Sequence, residues 1–137
     1  MARSLAERAS AIDWGAVETG LDADGAAVVA SLLTRSECKR LAALYTKDDL
    51  FRSTVVMSRH GYGRGEYRYF AYPLPEPVAS LRAALYPRLV PVANRWSVAL
   101  GKGGDYPKAH ARYVERCHAA GQTRPTPLLL QYGAGDF

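Results

Sequence analysis

The stretch "FRSTVVMSRHGYGRGEYRYFAY", Phe51 to Tyr72, constrains the fold more than any other part of the chain. Two runs rich in β-branched and aromatic residues, Phe51–Ser58 and Glu66–Tyr72, flank the insert "RHGYGRG". Such runs fit a pleated, half-buried surface and pair as antiparallel strands. The insert is too long for a two-residue turn, so the spacing predicts a hairpin with a flexible, glycine-rich tip.

Helical patterns surround this unit. Short helices are expected over residues 3–11 and 14–20, and "GAAVVASLL" (Gly25–Leu33) reads as a short apolar strand. In "TRSECKRLAALY", Thr34 and Glu37 have capping-box spacing, and Cys38, Leu41, Ala42 and Tyr45 share one face. The longest helical pattern, "PLPEPVASLRAALYPRLVPVANRWSVALG", contains Pro87 and Pro91, which predict a break or kink near Pro87. Val78, Leu81 and Leu85 form one face before it; Leu89, Val92, Trp96 and Leu100 form another if the helix restarts. Asp105 is placed to cap a last helix with Pro107 in its first turn, Tyr113, Val114 and Cys117 on its apolar face, and Gly121 at its end. An extended loop, "QTRPTP", leads to an apolar strand, Leu128–Gln131, then to Tyr132 and a Gly133–Ala134–Gly135 turn.

Size and charge narrow the class. A chain of 137 residues with 48% hydrophobic and 23% charged residues fits a globular domain and argues against disorder. No apolar run approaches the roughly 20 residues that span a bilayer, so no membrane partner is expected. The N-terminus lacks the apolar centre of a secretory signal, and a bacterial-type, cytoplasmic setting is expected, with Cys38 and Cys117 as buried free thiols. Residues 1–50 hold six Lys/Arg against eight Asp/Glu; residues 51–137 hold twelve against five. The basic half points to an anionic partner, nucleic acid first, although basic surfaces also occur without such a role.

"RHGYGRGEYRYF" is the densest functional candidate. Arg59, Arg64 and Arg68 suit phosphates, Tyr62, Tyr67 and Tyr69 offer planar faces to bases, and His60 lies among them. The same pattern suits a solvated hairpin whose tyrosines brace the sheet. Gly61, Gly63 and Gly65 do not make a dinucleotide fingerprint, because the third glycine comes too early and no βαβ pattern surrounds it. His110 and His118 are too far apart on one helix for a paired metal site, and the adjacent Cys117 and His118 point different ways around it. On its residues alone the chain shows no complete catalytic site and no metal site.

The end of the chain carries a resemblance. "PLLLQYGAGDF" resembles the strand and turn that precede the His-x-Asp motif of 2-oxoglutarate/Fe(II)-dependent dioxygenases. "RHGYGRGEYRYFAYPLP", "LYPRLVPVANRW" and "RCHAAGQTRPTPLLLQYGAGDF" are together similar to a bacterial oxygenase family associated with oxidative demethylation of damaged nucleic acid, related to the AlkB-like enzymes. The resemblance covers about residues 20–137.

It implies an α+β fold: the N-terminal part of a double-stranded β-helix, or jelly-roll, with helices packed on one side. Residues 1–50 would be an N-terminal helical and short-strand segment, and 51–137 the start of the dioxygenase domain. It implies Fe(II) and 2-oxoglutarate as cofactors of the complete family member, with Tyr132 at the cosubstrate carboxylate. Leu130 departs from the AlkB-like pattern, which has Asn there. Arg59, His60, Tyr62, Arg64, Tyr67, Arg68 and Tyr69 lie where relatives place substrate-recognition elements. The iron ligands and the clamping arginine of the family have no match here, so the expectation is a truncated, inactive chain that binds no metal tightly and self-associates through its last strand. Two alternatives are a hydroxylase of proteins or small molecules, prolyl-hydroxylase-like, and a non-catalytic basic module that binds nucleic acid.

Overall fold

A computed structural model describes all 137 residues, Met1–Phe137. It is α+β, with five helices and one three-stranded antiparallel sheet. The chain groups into two compact units: residues 1–34 with 79–122, and residues 35–78 with 123–137.

The first unit is helical. Helix α1, Leu5–Ser10, opens with a capping box: Ser4 Oγ accepts the Glu7 N–H at 3.2 Å, and the Glu7 carboxylate accepts the Ser4 N–H at 2.6 Å. Helix α2, Trp14–Asp24, is capped by Asp13, whose carboxylate accepts the Ala16 N–H, and it ends at Gly25, where φ is 71°. The Gly25–Leu33 segment then forms no strand. Val28 is almost fully exposed, and an apolar run with no paired neighbour has nowhere to send its backbone donors as a strand.

The long helix α4, Val78–Ala99, is continuous through Pro87 and Pro91, so the expected restart does not occur. Both prolines lie on the exposed side, while Val90 and Val92 are buried. Burial beside the prolines outweighs two lost backbone donors. The expected faces are only partly the buried ones: Val78 and Val92 are buried, whereas Leu89, Trp96 and Leu100 are exposed. Arg95 and Trp96 instead reach Asp22 of α2, through Arg95 Nη2 at 2.8 and 2.9 Å and Trp96 Nε1 at 2.7 Å.

Helix α5, His110–Ala119, begins later than Asp105 predicts. The residues before it are already held to α4. Tyr86 donates its hydroxyl to the Pro107 carbonyl at 2.5 Å, and the Asn94 amide both accepts from and donates to the Tyr106 backbone. Asp105 contributes its carbonyl to Arg116 rather than its side chain to a cap. Gly121 does close the helix region, with φ at 92°.

The second unit holds α3, Arg35–Leu44, and the sheet. Strand β1 is Phe51–Val56, β2 is Glu66–Phe70 and β3 is Leu128–Gln131, in the order β1-β2-β3. The hairpin forms as predicted, with Thr54 opposite Arg68 and Val55 opposite Tyr67. A bulge at Phe51/Ser53 accommodates Arg52. The last strand is paired, against the expectation of an unpartnered edge on both sides: Leu128 to Gln131 lie opposite Tyr69 to Glu66, and the Phe70 N–H donates to the Pro127 carbonyl. Leu128 and Leu129 are half-buried, and Leu130 is 55% exposed. Cys38 is exposed and Cys117 half-buried, so neither is the buried thiol expected. In α3 the expected face is only partly covered: Ala42 is exposed, Leu41 is half-buried and Tyr45, just beyond the helix, is buried.

Candidate functional site

Strand alternation divides the hairpin residues between two faces of the sheet. Glu66, Arg68 and Phe70 lie on one face; Tyr67 and Tyr69 lie on the other, in edge-to-face contact at 5.6 Å. Leu128 and Leu130 are opposite Tyr69 and Tyr67 in register, and the Arg52 guanidinium sits 4.4 Å from the Tyr69 ring centroid. Arg52 also donates to the Pro125 carbonyl.

Arg68 is fully engaged on its own face. It donates to Thr54 Oγ1 at 3.0 Å, to the Tyr45 carbonyl at 2.6 Å and to the Asp48 carboxylate at 3.0 Å. Its side chain is 13% exposed. This geometry makes Arg68 a strut between β2 and the residues after α3, and sets it apart from the other expected substrate contacts. Tyr45 completes the cluster by donating its hydroxyl to Glu66 at 2.8 Å. Burial, reinforced by that carboxylate, pushes the Tyr45 phenol up to about 12.

The remaining candidates gather at the hairpin tip. Met57–His60 form a short 3-10 turn, with Met57 buried and Arg59 and His60 exposed. Gly61, at φ 70°, reverses the chain, and the Tyr62 N–H returns to the Met57 carbonyl at 3.1 Å. Arg64 is exposed, and its N–H donates to the Phe137 carbonyl at 2.7 Å.

Beside the tip lies a cleft lined by Gly65, Glu66, Gln131, Tyr132, Gly133 and Asp136. Tyr132 leaves β3 here, half exposed, with its ring against Gly65. A side chain on Gly65 would stand 2.8 Å from that ring, and one on Gly63 would overlap the Phe137 carbonyl. The glycines thus admit the chain's own residues 132–137. The turn after Tyr132 is closed by Asp136, whose carboxylate accepts the Gly133 N–H at 2.7 Å. Asp136 and Glu66 were not singled out from sequence. The signal for Asp136 was its position three residues after a turn glycine, where a carboxylate can close the turn.

These residues by themselves do not fit iron or 2-oxoglutarate. No group of three or more His, Cys, Asp or Glu is arranged to hold a metal ion. His60 belongs to one compact unit, His110 and His118 to the other. Two carboxylates line the cleft at Tyr132, and a dicarboxylate there needs a cation that the lining does not supply.

Two proteins of Mycobacterium tuberculosis, both described as uncharacterized, one from strain CDC 1551 / Oshkosh and one from strain ATCC 25618 / H37Rv, are each 43% identical over 68 residues. The matched stretch is 50% of this chain and 29% of each relative. No solved structure matches. No helix is long and apolar enough to cross a membrane. A family model described as "Oxygenase, catalysing oxidative methylation of damaged DNA" matches residues 65–137, from the glycine under Tyr132 through β2, α4, α5 and β3 to Phe137. This chain belongs to that oxygenase family.

Proposed function

We propose that the chain serves an Fe(II)- and 2-oxoglutarate-dependent oxygenase that removes alkyl groups from damaged nucleic acid. The family match over residues 65–137 carries the reading. The finer assignment is supported by the antiparallel sheet whose third strand leads directly into Tyr132 and a glycine turn, in the manner of the jelly-roll dioxygenases. In this reading β1–β3 are the first strands of that core. Tyr132 donates its hydroxyl to the cosubstrate carboxylate, and the metal ligands and a cation come from residues this chain does not bring together. Arg59, His60, Tyr62 and Arg64 face the nucleic acid, while Tyr67 and Tyr69 line the sheet face behind them.

The test is turnover by the product of the whole gene. With Fe(II), 2-oxoglutarate and a methylated oligonucleotide, succinate and formaldehyde should both appear, and only with the methylated strand. Turnover on a proline-containing peptide or a small molecule, with none on the oligonucleotide, would assign the protein to a hydroxylase of the same superfamily. No consumption of 2-oxoglutarate under any condition would refute the reading.

A further inference from the structure

The hairpin tip presents a preformed pair of rings. His60 and Tyr62 stack with centroids 5.4 Å apart and planes 22° from parallel. Gly61, between them, takes the left-handed conformation that brings residues two apart onto one another. The pair is anchored from beneath by the Tyr62 N–H to the buried Met57 and on the other side by the Arg64 N–H to Phe137. Yet the rings themselves are in solvent: Tyr62 is 61% exposed. Arg59 and Arg64 flank them in sequence, both exposed, with the Arg64 guanidinium 5.9 Å from the Phe137 ring centroid, and no acidic residue occurs between Met57 and Gly65.

Exposed, stacked rings between two arginines complement a particular chemistry. A base offers a flat apolar face, and its backbone offers phosphates on either side. In a duplex the base faces are already stacked on each other, and a protein meets only edges and phosphates. A ring pair held open to solvent gains from a base whose face is available. The tip carries no Asn or Gln to read adenine edges.

We propose that the tip is a stacking platform for an unpaired DNA base, with Tyr62 and His60 taking the base face and Arg59 and Arg64 the adjoining phosphates. The proposal rests on the nucleic-acid reading above and adds to it the strandedness of the ligand and the residues that sense it. The remaining residues of the hairpin, Tyr67, Arg68 and Tyr69, take no part.

The experiment titrates the chain into a dye-labelled single strand of mixed sequence and into its duplex, at two salt concentrations. Tyr62→Ala, Tyr62→Phe, Arg59→Ala and Arg64→Ala are compared after thermal unfolding has shown each to be folded. The single strand should bind more tightly than the duplex. Tyr62→Ala should weaken single-strand binding about tenfold and leave the salt slope unchanged, and Tyr62→Phe should restore it. Each arginine substitution should lower the salt slope by about one. If the arginine variants weaken binding and Tyr62→Ala does not, the nucleic-acid reading stands and the stacking platform is overturned. Binding to neither form of DNA would overturn both.

Discussion

The Arg68 guanidinium lies 4.3 Å from the centroid of the Phe51 ring, on the face of β2 opposite Tyr67 and Tyr69. The Phe51 ring in turn stacks on buried Phe70 at 4.8 Å. Arg68→Ala removes this cover and strands the Tyr45 carbonyl. Hydrogen bonds to a charged group contribute about 1.5–3 kcal/mol, and a loss of that size should appear as a lowered urea midpoint. Arg59→Ala and Arg64→Ala, on exposed side chains, should stay within about 0.5 kcal/mol. Equal effects at all three positions would contradict the strut.

Gly65 gives a second prediction. Its φ is 120°, and an added Cβ would meet the Tyr132 ring and the Gln131 carbonyl. Gly65→Ala should cost about 1–3 kcal/mol, the usual size of such backbone strain. Gly61→Ala also forces a side chain into the left-handed region, but nothing lies within 4 Å of it. The two are told apart by hydrogen exchange at the Arg64 amide: faster in Gly65→Ala, little changed in Gly61→Ala.

Tyr45 sets a limit at high pH. Its phenol titrates near 12 in the fold against 10 ordinarily. The unfolded chain therefore gives up this proton first, and its contribution to stability is complete below pH 10 and is lost as pH rises towards 12. Urea unfolding at stepped pH should show that decline. Tyr45→Phe should be less stable at neutral pH, through loss of the bond to Glu66, and flatter across the alkaline range.

Metal binding should be weak. Titration of the chain with Mn(II) or Fe(II) in the presence of 2-oxoglutarate should show no stoichiometric binding tighter than about 10 μM, roughly 7 kcal/mol. Tight binding would mean that the histidines assemble in a way the structure does not contain.

The free edge of β3 makes a prediction about association. Leu130 is exposed beside unpaired backbone, the combination that templates strand addition. Sedimentation should show concentration-dependent self-association, and Leu130→Lys should reduce it. A monomer at all concentrations would show that the edge is protected.

Legibility in the sequence followed the range of the interactions involved. The hairpin was readable because alternation and turn residues are local, and the α1 and α2 regions because a helical pattern is local too. Gly25–Leu33 was misread because an apolar run becomes a strand only with a neighbour, and none is encoded nearby. The buried side of α4 is only partly legible: Val92 is covered as expected, but Val90 is covered in place of Leu89. The helix register could not say which side would be covered. At the site, residue type selected Arg68 for phosphate binding. Its partners Tyr45, Asp48 and Thr54 come from other segments, and only the fold brings them to it.

The tip alternates between positions that are open to change and positions that are closed. Residues 59, 60, 62 and 64 point to solvent, so selection can retune them for a new ligand at little structural cost. Positions 63 and 65 are shared property: Phe137 and Tyr132 occupy the space their side chains would need. A lineage that acquires a side chain at 65 must shed the ring at 132 or redirect the exit from β3. Two segments far apart in sequence are therefore coupled through one contact, and a side chain at 65 should be better tolerated when the residue at 132 is made smaller.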